Sequence, residues 1–132
     1  MKKTFLFLFW MISLFTLSCS GGGGSSSGGG NSPTLTLLNV PVNVQAGQSA
    51  RVDFGYSDPN GDIKFVYVRE QFTDDRITVF TAQSLNISGT SGSAFFTVLF
   101  PTGSSGQHIF IVWALDVNGN SSNQLSFTIN VT

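Results

Sequence analysis

The segment that most constrains the fold is the last one, where Leu125, Phe127, Ile129 and Val131 alternate with Ser126, Thr128 and Asn130. A period of two puts the four apolar side chains on one face of an extended strand and the polar ones on the other, so a second layer is needed to cover the apolar face. Val52, Phe54 and Tyr56 repeat the pattern against Arg51, Asp53 and Gly55. Runs of Val, Ile, Phe, Thr and Tyr bounded by Gly, Asn, Asp, Ser and Pro recur along the C-terminal portion, and no window shows an apolar 3.6-residue period with caps. Strands are expected near Leu35–Val40, Ala50–Tyr56, Ile63–Glu70, Ile77–Ala82, Ala94–Phe100, His108–Asp116 and Asn123–Val131. Seven strands in this length predict an all-β fold, a single two-sheet sandwich. Asn118-Gly119 tolerates positive φ and predicts an antiparallel hairpin between the last two strands.

The N-terminal part is of another kind. Lys2 and Lys3 precede Thr4–Leu17, an uncharged Phe/Leu-rich stretch. A membrane-spanning helix needs roughly 20 apolar residues, whereas a secretory apolar segment runs about 7–15. Thr16-Leu17-Ser18-Cys19 resembles the lipobox of bacterial lipoproteins, with the small Ser18 immediately before the cysteine and Thr16 where Leu, Ile or Val is usual. The resemblance implies cleavage before Cys19, the only cysteine of the chain, and a lipid on its thiol. Residues 20–31 carry no apolar side chain and cannot bury enough surface to offset their ordering entropy. They predict a flexible tether with a reach of about 20 Å. The expected organisation is a signal peptide over 1–18, lipidated Cys19 and tether over 19–33, and a sandwich over 34–132.

Cleavage removes Lys2 and Lys3, so a net charge of −1 becomes −3. An acidic domain with scattered bases lacks the basic footprint of nucleic-acid binding, and it has no polybasic patch to hold anionic lipid. Anchoring then rests on the acyl chains, at about 0.8 kcal/mol per buried methylene. Ser20 after the cysteine, in place of Asp, resembles the pattern that permits transport to an outer membrane, and the expected location is the cell envelope.

Two turn segments carry a second resemblance. Ser57-Asp58-Pro59-Asn60-Gly61-Asp62-Ile63 and Trp113-Ala114-Leu115-Asp116-Val117-Asn118-Gly119-Asn120-Ser121 are similar to turns of bacterial immunoglobulin-like, fibronectin-III-like and cadherin-like domains. The resemblance implies a sandwich with both turns at one end, where the tether also enters; it names no activity, because this architecture serves many functions. Asp58, Asn60 and Asp62, like Asp116, Asn118 and Asn120, place oxygens at i, i+2 and i+4, as Ca²⁺ loops do. Neither triplet completes an EF-hand: Ile63 stands where Gly is required, and no Glu holds the twelfth position. Two readings stay open, a weak Ca²⁺ site and Asp/Asn side chains bonding their own turns.

Catalysis finds no support in the inventory. His108 is the only histidine, the only thiol is assigned to lipid, and no nucleophile elbow, P-loop or His-rich metal spacing occurs. A surface is the stronger candidate. His108–Leu115 is apolar on both parities, with Phe110, Val112 and Ala114 on one and Ile109, Ile111, Trp113 and Leu115 on the other. The third strand repeats this with Val66 and Val68 against Phe65 and Tyr67. If the small residues face the core, Phe65, Tyr67, Ile111 and Trp113 form an apolar face of the kind that binds a protein or glycan partner. The alternative is that these residues are core, or are covered by residues 71–92. The sequence thus supports a binding module or, failing an exposed face, a structural spacer.

Overall fold

The computed structural model describes residues 31–71 and 76–132. Cys19, the apolar leader, nearly all of the tether and Asp74-Asp75 lie outside the described residues. No described helix is long and apolar enough to cross a membrane.

Eight strands follow in chain order among the described residues: β1 (Thr34–Asn39), β2 (Asn43–Val44), β3 (Ser49–Ser57), β4 (Ile63–Glu70), β5 (Ile77–Thr81), β6 (Ser91–Leu99), β7 (Gly106–Asp116) and β8 (Leu125–Val131). They form a three-stranded sheet, β1-β3-β6, and a five-stranded sheet, β2-β8-β7-β4-β5. The alternating positions of β3 and β8 do as their sequences require: Val52, Phe54 and Tyr56 from one sheet and Phe127, Ile129 and Val131 from the other are buried between the layers. Phe96 of β6 sits at the centre, its ring 6.1 Å from Phe54, 5.9 Å from Phe80 and 6.5 Å from Phe127. Each such side chain contributes about 1.5–3 kcal/mol by leaving water.

Three details depart from the sequence reading. The eighth strand is β2, two residues pairing in parallel with β8 through Asn43–Asn130 and Val44–Val131, too short to leave a periodic signal. The last strand starts at Leu125 rather than Asn123. The register slips by one residue between the Leu115–Ser121 bridge and the Val112–Leu125 pair, and Asn123 turns instead to β1. There its Oδ1 accepts from the Leu35 amide at 2.7 Å and its Nδ2 donates to the Leu35 carbonyl at 2.9 Å, joining the two sheets. The Asn118-Gly119 turn forms, with Gly119 at φ 87°, inside a longer and irregular connection.

The described residues of 71–92 do not form a covering layer. Their first part is β5, which extends the sheet beside β4. Their second part is a short 3-10 turn in which the Ala82 carbonyl accepts from the Leu85 and Ile87 amides, and both side chains plug the sandwich interior. Tyr56 ties this plug to the core, its hydroxyl bonding the Ser88 backbone at both N–H and C=O. Gly92 permits the arrangement, since a Cβ there would lie 2.6 Å from the Tyr56 hydroxyl.

Candidate functional site

In β4 and β7 the small residues face inward. Val66, Val68, Val112 and Ala114 are buried, so Phe65, Tyr67, Ile111 and Trp113 all emerge on the outer face of the five-stranded sheet. Tyr67 and Trp113 are register partners, and their rings stack at 5.1 Å with an interplanar angle of 6°. Phe65 meets Tyr67 edge-on at 6.1 Å. Large side chains on adjacent strands shield one another, so each is half-buried rather than fully exposed. Beyond β4 the face continues through Ile77 and Val79 of β5, 50% and 49% exposed. On the other flank Ser126 and Thr128 of β8 make a polar rim.

The face also carries charge, which the sequence reading passed over. Arg69 follows Tyr67 at the period of two and lies in register between Ile77 and Ile111. Its Nε is buried with no hydrogen-bond partner among the described residues. The Lys64 ammonium stands 5.2 Å from the Phe65 ring centre. No described carboxylate shares this face: Asp53 is on the opposite sheet, Asp58, Asp62 and Asp116 gather at one end, and Glu70 points inward to His108. The pattern at Tyr67 and Trp113 could have flagged Arg69, Ile109 and Leu115. Ile77 and Val79 could not be assigned to the face without knowing that β5 pairs with β4.

The two turns do meet at one end. The Val117 amide donates to the Asp62 carbonyl at 3.1 Å, and the Asn118 side chain donates to Asp62 Oδ2 at 3.1 Å. Within each turn, however, the leading carboxylate binds its own backbone. Asp58 accepts from the Asn60 and Asp62 amides, and Asp116 accepts from the amides of Asn118 and Asn120 and from the Asn120 side chain. Burial acts to raise the Asp116 pKa, but these hydrogen bonds outweigh it and hold the carboxyl below its ordinary 3.8. Burial pushes Asp62 above that value, and the charges of Asp58 and Asp116 push the same way. Among the described residues no three His, Cys, Asp or Glu side chains are placed to hold a metal ion. The geometry is that of self-bonded turns, with Asp62 Oδ1 left without a partner.

Between the free edges of β5 and β6 a groove of about 160 Å³ passes over Val68, Phe80, Phe96 and Phe110. At its end Glu70 Oε1 and His108 Nδ1 are 2.5 Å apart, with the Phe100 ring edge-on to the imidazole. The histidine is thus a core side chain with one polar partner.

Comparison with solved structures places this architecture. The PKD domain of a peptidase from a Thermoplasmatales archaeon superposes with a TM-score of 0.54 at 19% identity, over 76% of this chain and 93% of that one. The fold is immunoglobulin-like. A mutant of the SrpA adhesin from Streptococcus sanguinis gives 0.58 at 18% identity, over 77% of this chain and 58% of that one. Fibronectin(III)-like modules of CbhA from Clostridium thermocellum give 0.52 at 20%, over 77% and 47%. At these identities the likeness establishes the immunoglobulin-like sandwich and no activity. No family model matches the chain, and no curated protein sequence does.

Proposed function

We propose that the chain is a cell-envelope lipoprotein, held to an outer membrane through a lipid on Cys19, whose immunoglobulin-like domain binds a protein partner through the outer face of its five-stranded sheet. The observation that carries this reading is the stacked Tyr67–Trp113 pair, set beside the exposed Ile77 and Val79. An outward apolar face of this extent costs solubility unless something covers it. Its composition favours protein over glycan. Trp, Tyr and Arg are the residues enriched where protein interfaces hold most of their binding energy. The face-to-face stack also uses up ring faces that a sugar would need.

The test is site-specific photo-crosslinking in cells. A benzophenone side chain in place of Val79 is expected to give a discrete crosslinked product that disappears with Trp113→Ser, while the same probe in place of Thr97 on the opposite sheet gives none. Equal products from both faces, or none from Val79, would return the domain to the role of a spacer. Anchoring has its own readout: labelled palmitate should enter the wild-type chain and not Cys19→Ala.

A further inference from the structure

We propose that the partner is an acidic protein segment, and that one of its carboxylates seats on Arg69 within the apolar ring of Tyr67, Ile77, Ile111 and Trp113. This deepens the function proposed above and rests on it. The first ground is charge. In a chain of net charge −1, the described residues put two cations and no carboxylate on this face. A partner rich in Asp and Glu is attracted to such a patch and a basic one repelled.

The second ground is the state of Arg69. Its neighbours in register on both sides are isoleucines, and its buried Nε bonds to nothing described. A guanidinium offers a planar fork of donors that matches a carboxylate in two parallel hydrogen bonds. The buried Nε shows that its neighbours already hold part of the guanidinium away from water, so a carboxylate that pairs with this group gains more than at an open surface.

The third ground is a control inside the same molecule. Arg51 occupies the comparable place on the outer face of the other sheet, and there the chain supplies what an arginine needs. Its Nη2 is 2.7 Å from Asp53, and its guanidinium lies 3.8 Å above the Phe95 ring. Among the described residues, Arg69 has neither a carboxylate nor an aromatic face of its own.

The experiment immobilises the full-length chain in neutral detergent micelles and selects binders from a displayed random-peptide library. The expected peptides combine Asp or Glu with large apolar residues. They should weaken at least ~10-fold against Arg69→Met, which keeps an apolar stem, and more against Arg69→Glu. Binding should be unchanged by Arg51→Met and should weaken between about 50 and about 500 mM NaCl, as charge pairing at a partly open surface does. Circular dichroism and a thermal midpoint confirm that each variant is folded. Neutral or basic peptides that depend on Trp113 but ignore Arg69 would overturn the acidic partner and leave the binding face standing. Peptides indifferent to both Trp113→Ser and Arg69→Met, or no enrichment over bare micelles, would overturn both. Binding of anionic vesicles that is lost with Arg69→Met, in place of peptides, would replace the protein partner with a lipid surface.

Discussion

The two outer faces of the sandwich start from similar material and end differently. On the three-stranded sheet Arg51 and Asn39 both donate to Asp53, and Arg51 closes over Phe95. On the five-stranded sheet the rings stack on each other, and Arg69 is left among isoleucines. Both faces carry an arginine and aromatic groups; among the described residues what separates them is one carboxylate, Asp53, two residues along the strand from Arg51. Among the described residues the first face supplies its own counter-charge on folding, and the second does not.

The largest expected effect is one that should strike both faces alike and so set a scale for the rest. Phe96→Ala empties the centre against which both sheets pack, and a loss of about 3–5 kcal/mol in urea unfolding is expected. Next comes Asn123→Ala, which removes the side-chain bonds between the sheets at Leu35. It should cost about 1–3 kcal/mol, with faster hydrogen exchange at the Leu35 amide.

The paired substitutions Arg51→Met and Arg69→Met sharpen the comparison by sign. Arg51→Met should lower the thermal midpoint, while Arg69→Met should leave it unchanged or raise it, because no described partner is lost. Their pH dependence should also differ. The Arg51 hydrogen bond holds the Asp53 carboxyl below its ordinary 3.8, against the opposing push of desolvation. A depressed carboxylate stabilises the fold above its unfolded pKa, and that gain is lost as pH falls through the lower folded value. The Arg51→Met penalty should therefore fade below about pH 3.8, the ordinary carboxylate value, and the Arg69→Met effect should stay level. Equal acid profiles would erase the distinction between the faces.

The smallest expected effect is at the end of the sandwich. Millimolar Ca²⁺ should leave the thermal midpoint where it is, since Asp58 and Asp116 are occupied by their own turns. A clear rise would show that Asp62 Oδ1 and its neighbours ligate the ion and would decide for the Ca²⁺ reading of the Asp/Asn triplets.

Much of this was legible because a period of two is a local signal. The alternation in β3 and β8 announced the core, and the doubly apolar β4 and β7 announced that one parity points outward, while which parity it is stayed open until Val66, Val68, Val112 and Ala114 were placed inside. The meeting of the two turns followed from the resemblance. What escaped depends on distant neighbours. β2 is two residues recognised only through β8. Asn123 looked like the start of a strand because its partner, Leu35, is far away in sequence. Arg69 looked like an ordinary strand charge, and that its Nε finds no partner among the described residues appears only once Ile77 and Ile111 are set on either side of it.

The Asn123 clamp has a mechanical consequence. Thr34 pairs with Ser57 at the start of β1, so any pull on the N-terminal side enters the fold there. One residue further in, at Leu35, the load meets a side chain rooted in the connection between β7 and β8. Tension is therefore divided between the sheets at its point of entry, and drawing β1 out of the sandwich requires breaking both its ladder with β3 and its link to the layer that bears the aromatic face.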